Sequence, residues 1–187
     1  MKPMNQYTLL FALISVIVSL HPTFAKDSPQ KCDVGAYVID PDPNGLNVRD
    51  KPSGQIVTRI PIDTMLTIIE ISGKWVRIAD VSYIDNEAFA KKNSHKMENS
   101  IVNWKDPLGW VHISKLETTA RKYSASTKVF LNSQASQKSN KLIEIQEESA
   151  ILKPISCQGE WIQVDYKKKK GWLHSEQACA NPYTNCS

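Results

Sequence analysis

Two stretches of this chain repeat one pattern, and the repetition limits what the chain can fold into. Ile71-Ser72-Gly73-Lys74-Trp75-Val76-Arg77-Ile78 is echoed by Ile155-Ser156-Cys157-Gln158-Gly159-Glu160-Trp161-Ile162-Gln163-Val164. Each copy is followed by a second matched signal, Gly109-Trp110-Val111-His112 and then Gly171-Trp172-Leu173-His174. In each copy a β-branched run meets a glycine-containing turn and returns as an alternating strand, which is the pattern of a hairpin. The chain therefore reads as two copies of one small all-β unit. Duplicated small β modules are more often binding devices than enzymes, which turns attention to surfaces and grooves.

The rest of the chain fits short strands between closely spaced turns. Val34 to Ile39 is strand-like, and Pro41-Asp42-Pro43-Asn44-Gly45 is a strong turn cluster. Leu46-Asn47-Val48-Arg49 alternates apolar and polar residues, as a half-buried strand does. Asp50-Lys51-Pro52-Ser53-Gly54 is another turn. In the second copy, Val129-Phe130-Leu131, Leu142 to Ile145, Ile151 to Ser156 and Trp161 to Tyr166 are the matching strands. Leu116 to Tyr123 reads as the connection between the copies. Strands this short, this close together, predict small barrels.

The copies differ in one place. Trp75 and Gly109 stand 34 positions apart, whereas Trp161 and Gly171 stand 10 apart. The first copy thus carries an insertion of about 24 residues, roughly 81–105. Residues 87–92 suit a short helical turn, and 93–99 are polar. Long loops in small domains are uncommon and often functional. Tyr83, Phe89 and Trp104 set this one apart from a solvated linker.

Residues 1–25 read as a secretory signal peptide: Lys2 is the positive region, Thr8 to Leu20 the apolar core, and Thr23-Phe24-Ala25 the cleavage end. The apolar run is short for a membrane span, which needs about 20 residues. After cleavage the protein is expected not to span the membrane and to be periplasmic or secreted. All four cysteines, Cys32, Cys157, Cys179 and Cys186, lie in the exported part. An even number outside the cytoplasm predicts two disulfides, with three possible pairings. No CxxC pair or Cys/His cluster marks a metal site, and no cofactor is expected. The formal net charge of +4 is too mild to mark a nucleic-acid binder.

The residues Gly45-Leu46-Asn47-Val48-Arg49, the Pro-Ser-Gly turn, the hairpin ending in Trp75 and Gly109-Trp110-Val111 resemble the bacterial SH3 (SH3b) domain. The second copy is similar from Gly159 to Trp172 but has Val129-Phe130-Leu131-Asn132 in place of the Asn-Val-Arg element. The resemblance implies two small SH3-like β-barrels in tandem, over 33–117 and 123–175, followed by a cysteine-containing tail over 176–187. It also implies a module that binds peptidoglycan peptide or an envelope protein.

Asn47 and Arg49, two apart on a strand, share one face. They are candidate ligand residues. The competing reading is structural, with Asn47 bonding a turn backbone and Arg49 pairing with Asp50 or Asp80. Trp75, Trp110, Trp161 and Trp172 occupy matched positions and read as core. Trp104 breaks the repeat and, with Tyr83, reads as a surface contact. His112 and His174 read as strand ends. Lys167 to Lys170 reads as a solvated turn, with attraction to anionic polymers as its alternative. No nucleophile or carboxylate dyad marks catalysis, so the expected role is non-catalytic binding. The alternative is an immunity or inhibitor protein that blocks a secreted toxin or hydrolase.

Overall fold

The computed structural model describes residues 28–84, 91, 101–122, 124–181, 183 and 186. The expected signal segment lies outside them, as does the helical turn expected at 87–92, Lys91 excepted. The described residues are all-β. The first half contributes β1 (Gln30–Val38), β2 (Leu46–Arg49), β3 (Ile56–Ile60), β4 (Met65–Ser72), β5 (Trp75–Ile84), β6 (Ile101–Trp104) and β7 (Gly109–His112). A 3-10 turn over Ile113–Lys115 leads to β8 (Leu116–Ala120). The second half contributes β9 (Val129–Asn132), β10 (Lys141–Ile145), β11 (Ile151–Gln158), β12 (Trp161–Tyr166) and β13 (Lys169–His174). A second 3-10 turn, Ser175–Gln177, leads to β14 (Ala178–Cys179).

Strand pairing repeats as the sequence does. The order through the sheet is β10-β9-β13-β12-β11-β8-β1-β4-β5-β7-β2-β3. Outward from β1, the first half runs β4, β5, β7, β2, β3. Outward from β8, the second half runs β11, β12, β13, β9, β10. In each half the last strand in sequence also pairs with the first: β8 with β1, and β14 with β8. β8 thus serves both halves, as the last strand of one and the first of the next. The stretch expected to be a connection is instead a central strand. For the same reason the strands form one open antiparallel sheet, with β10 and β3 at its two ends.

The repeated glycines are explained by close approach of backbones. A Cβ on Gly171 would stand 2.7 Å from the Leu131 Cβ and 3.2 Å from the Asn132 carbonyl oxygen. A Cβ on Gly109 would stand 2.6 Å from the Arg49 carbonyl oxygen, at a φ of +149° that side chains rarely adopt. Each glycine lets its Gly-Trp strand pass close against its neighbour in the sheet, β2 for Gly109 and β9 for Gly171. The histidines that end these strands also repeat their roles. His112 Nδ1 accepts from the Ser114 amide at 3.4 Å, and His174 Nδ1 accepts from the Glu176 amide at 3.3 Å. Each caps the following 3-10 turn and packs edge-on against its own tryptophan, Trp75 at 5.4 Å and Trp161 at 4.9 Å between centroids.

One cluster of buried side chains draws on both halves, including Val34, Leu66, Ile78 and Val111 with Leu131, Leu152, Ile162 and Leu173. Burying each large aliphatic side chain contributes roughly 1.5–3 kcal/mol. The disulfides are Cys32–Cys157 and Cys179–Cys186. The first joins β1 to β11 across the two halves. Beside it the Asp33 amide donates to the Gly159 carbonyl at 2.7 Å, and the Gly159 amide donates to the Lys31 carbonyl at 2.9 Å. The second closes the tail, from which the Tyr183 hydroxyl donates to Asp63 Oδ2 at 2.8 Å. Among the described residues no helix is long and apolar enough to cross a membrane.

Candidate functional site

The insertion begins at a bulge. The β4–β5 register slips between Met65 and Thr67, opposite Asp80, whose φ is +47°. Such bulges bend a strand and re-aim the residues beyond them. Past Asp80, β5 stays paired with β4 through Met65 and Ser82, and on its other edge it pairs with β6 instead of β7, Val81 opposite Trp104 and Tyr83 opposite Val102. Residues two apart on a strand share a face, so these two cross-strand pairs present one surface.

That surface is one wall of a groove of about 480 Å³. Val81, Tyr83, Val102 and Trp104 line it together with Val57, Thr58, Arg59 and Ile60 of β3 and with Leu108. The groove is largely apolar, and two of the residues lining it are exposed: Val57 at 55% and Trp104 at 51%. β3 is also the terminal strand of the sheet among the described residues.

Arg59 supplies the groove's cation. Its Nε donates to Asn47 Oδ1 at 3.0 Å, across the register pair Asn47–Arg59. Asn47 thus partners the Arg59 side chain and does not bond a turn backbone, as its structural reading expected it to. Arg49 is the residue that does: its Nη1 donates to the Gly54 carbonyl at 2.6 Å, holding the turn after β2. The partner is a backbone carbonyl and not Asp50 or Asp80. The Arg49 guanidinium carbon also lies 5.8 Å from the Trp75 ring centroid, within cation–π range. Of the four residues singled out in the sequence, Tyr83 and Trp104 meet in one groove, Asn47 orients its cation, and Arg49 stands apart on a turn. Arg59 itself was missed. Its only sequence signal is its place opposite Asn47 in a hairpin whose register had to be known.

The matched tryptophans divide. Trp110 is buried at 8% exposure, whereas Trp75, Trp161 and Trp172 are half-buried. They cover the core only in part, because their strands carry core residues on the alternate face: Val76 and Ile78 beside Trp75, Ile162 and Val164 beside Trp161.

The charged clusters near turns hold loops. Glu147 accepts from the Tyr166 hydroxyl and from Lys167 Nζ. Bonds from Lys167 and then Tyr166 lower its carboxyl from 4.5 to about 2. Burial, then Glu117, push the Tyr37 hydroxyl well up. The Lys167 ammonium is committed to this cluster, so the run Lys167 to Lys170 presents fewer unengaged cations than its sequence suggests.

No protein-family model matches this chain, and no curated protein matches it.

Proposed function

We propose that the protein is an exported, non-catalytic binding protein, periplasmic or secreted, that holds an extended peptide of the cell wall or of an envelope protein. The observation that carries this reading is the meeting of Tyr83 and Trp104 in one apolar groove with Arg59 on its wall. Aromatic anchors beside a fixed guanidinium suit a peptide that offers apolar side chains and a carboxylate or carbonyl. The resemblance to tandem bacterial SH3 domains, the second copy divergent, supports the same reading. So does the repeat of strand order in the two halves, which fits two SH3-like units sharing β8. The two disulfides fit an oxidising compartment.

The test is co-sedimentation of the oxidised protein with purified peptidoglycan sacculi at low and high salt. Sedimentation that persists at high salt supports the groove. Sedimentation lost with salt assigns the contact to exposed lysines such as Lys168 to Lys170. No sedimentation at either salt removes the wall peptide. A single stoichiometric protein captured from envelope extract would then favour the protein partner, including a toxin or hydrolase that this chain inhibits.

A further inference from the structure

The second half carries a concavity at the position where, in the first half, Arg49 lies over Trp75. Strand register makes the halves comparable position by position. Arg49 pairs with Trp110 across β2 and β7, and Asn132 pairs with Trp172 across β9 and β13. Asn132 therefore stands where Arg49 does, and Phe130 where Asn47 does. In the first half the Arg49 side chain extends over Trp75. Asn132 is too short to do the same for Trp161, and its amide turns instead toward the Trp172 carbonyl at 3.5 Å. Over Trp161 lies a groove of about 370 Å³, distinct from the one lined by Trp104.

Three kinds of group converge there. Trp161 and Phe130 provide apolar rings. Gln137 and Gln177 provide amides. Lys128 and Lys141 provide cations, with Lys141 Nζ 4.2 Å from the Phe130 ring centroid. Glu176 also lines the groove, 3.6 Å from His174 Nδ1, so the lysines leave a net positive charge. The volume lies in the range of small-ligand sites.

We propose that this groove binds a saccharide carrying a carboxylate. A pyranose ring has an apolar face that fits a tryptophan platform. Its hydroxyls both donate and accept, and so do glutamine amides. The carboxylate fits the two ammonium groups, which form short charge-assisted hydrogen bonds. An acidic peptide also engages the lysines, and its backbone also pairs with the amides, but it offers no apolar ring face to the Trp161 platform. This site does not depend on the peptide reading of the first groove.

The test is calorimetric titration of the full oxidised protein with three probes of similar size. Hyaluronan tetrasaccharide supplies sugar rings and carboxylates, chitotetraose the rings alone, and tetraglutamate the charge alone. Hyaluronan tetrasaccharide is expected to bind at least roughly tenfold more tightly than either of the others. Asn132→Arg places in the second half the residue the first half uses, and should weaken that binding roughly tenfold or more. Lys141→Gln alters an exposed side chain, leaves the fold alone, and should weaken binding by a comparable factor. Trp104→Ala, in the other groove, should leave it unchanged. No binding of hyaluronan tetrasaccharide, equal binding of tetraglutamate, or a Lys141→Gln protein that binds as tightly as the parent would overturn the proposal.

Discussion

Single residues carry the repeat because they stand where backbones nearly touch. Gly109 and Gly171 have no room for a methyl group, and the nearest atom in the way is a backbone oxygen of Arg49 for the first and the Leu131 β-carbon for the second, neither of which can swing aside. Gly171→Ala should therefore destabilise the fold by roughly 1–3 kcal/mol, as overpacking does. Denaturant unfolding would measure it; a change within about 0.5 kcal/mol, typical of a neutral surface site, would contradict the close approach. This level was the most legible in the sequence, since Gly-Trp and the hairpin turns recur as plain text. Tyr83 and Trp104 were legible too, as aromatics in a segment that breaks the repeat. Arg59 was not. Its role comes from lying opposite Asn47, and a one-residue change of register would turn it to the other face.

At the scale of elements, the β12–β13 hairpin shows a local cost. Its turn residues Lys167 and Lys168 both have positive φ, 51° and 65°. Two-residue hairpin turns favour this geometry, but asparagine and glycine adopt it more readily than lysine. Lys168→Gly keeps the backbone amide that donates to Asp165 Oδ1 at 3.0 Å. It should stabilise the protein by roughly 1 kcal/mol, the cost of a left-handed non-glycine residue. A lower melting temperature would contradict this. Across the turn, Glu147 is held at about 2 by Lys167 and Tyr166. A depressed carboxyl contributes above its ordinary value of 4.5 and loses the contribution as the pH falls through about 2. An NMR titration of Glu147 should give a midpoint near 2, and a midpoint near 4.5 would show that the cluster does not form.

β8 is the element the sequence hid. Leu116 to Tyr123 reads as a connection, and its polar Glu117, Thr118 and Thr119 give no strand signal. In the fold Thr118 and Thr119 are buried, and their hydroxyls donate to the Cys179 carbonyl at 3.1 and 3.4 Å. Pairing with a tail strand far along the chain satisfied them, and no local pattern announces such a partner.

For the whole molecule, the shared strand and the Cys32–Cys157 bridge bind the two halves into one core. The bridge spans a sequence separation of 125, against 7 for Cys179–Cys186. In the chain-entropy model closing the longer loop contributes about 5 kcal/mol, and the shorter one about half that. Replacing both Cys32 and Cys157 by Ala should thus lower the unfolding free energy more than replacing Cys179 and Cys186. Denaturant titration of the two variants decides it, and the reverse order would contradict the clamp. The sequence left three pairings open because cysteine spacing does not encode which strands become neighbours.

The central claim is that the insertion and β3 form a peptide groove on a fold that does not need Trp104 for stability. Trp104→Ala removes a side chain that is half exposed in the parent. The most direct measurement compares sedimentation of parent and Trp104→Ala protein with sacculi at high salt, alongside their melting temperatures. The parent is expected to sediment, Trp104→Ala to lose most of the bound fraction, and stability to stay within about 0.5 kcal/mol. Unchanged sedimentation, or a large loss of stability with binding intact, would contradict it.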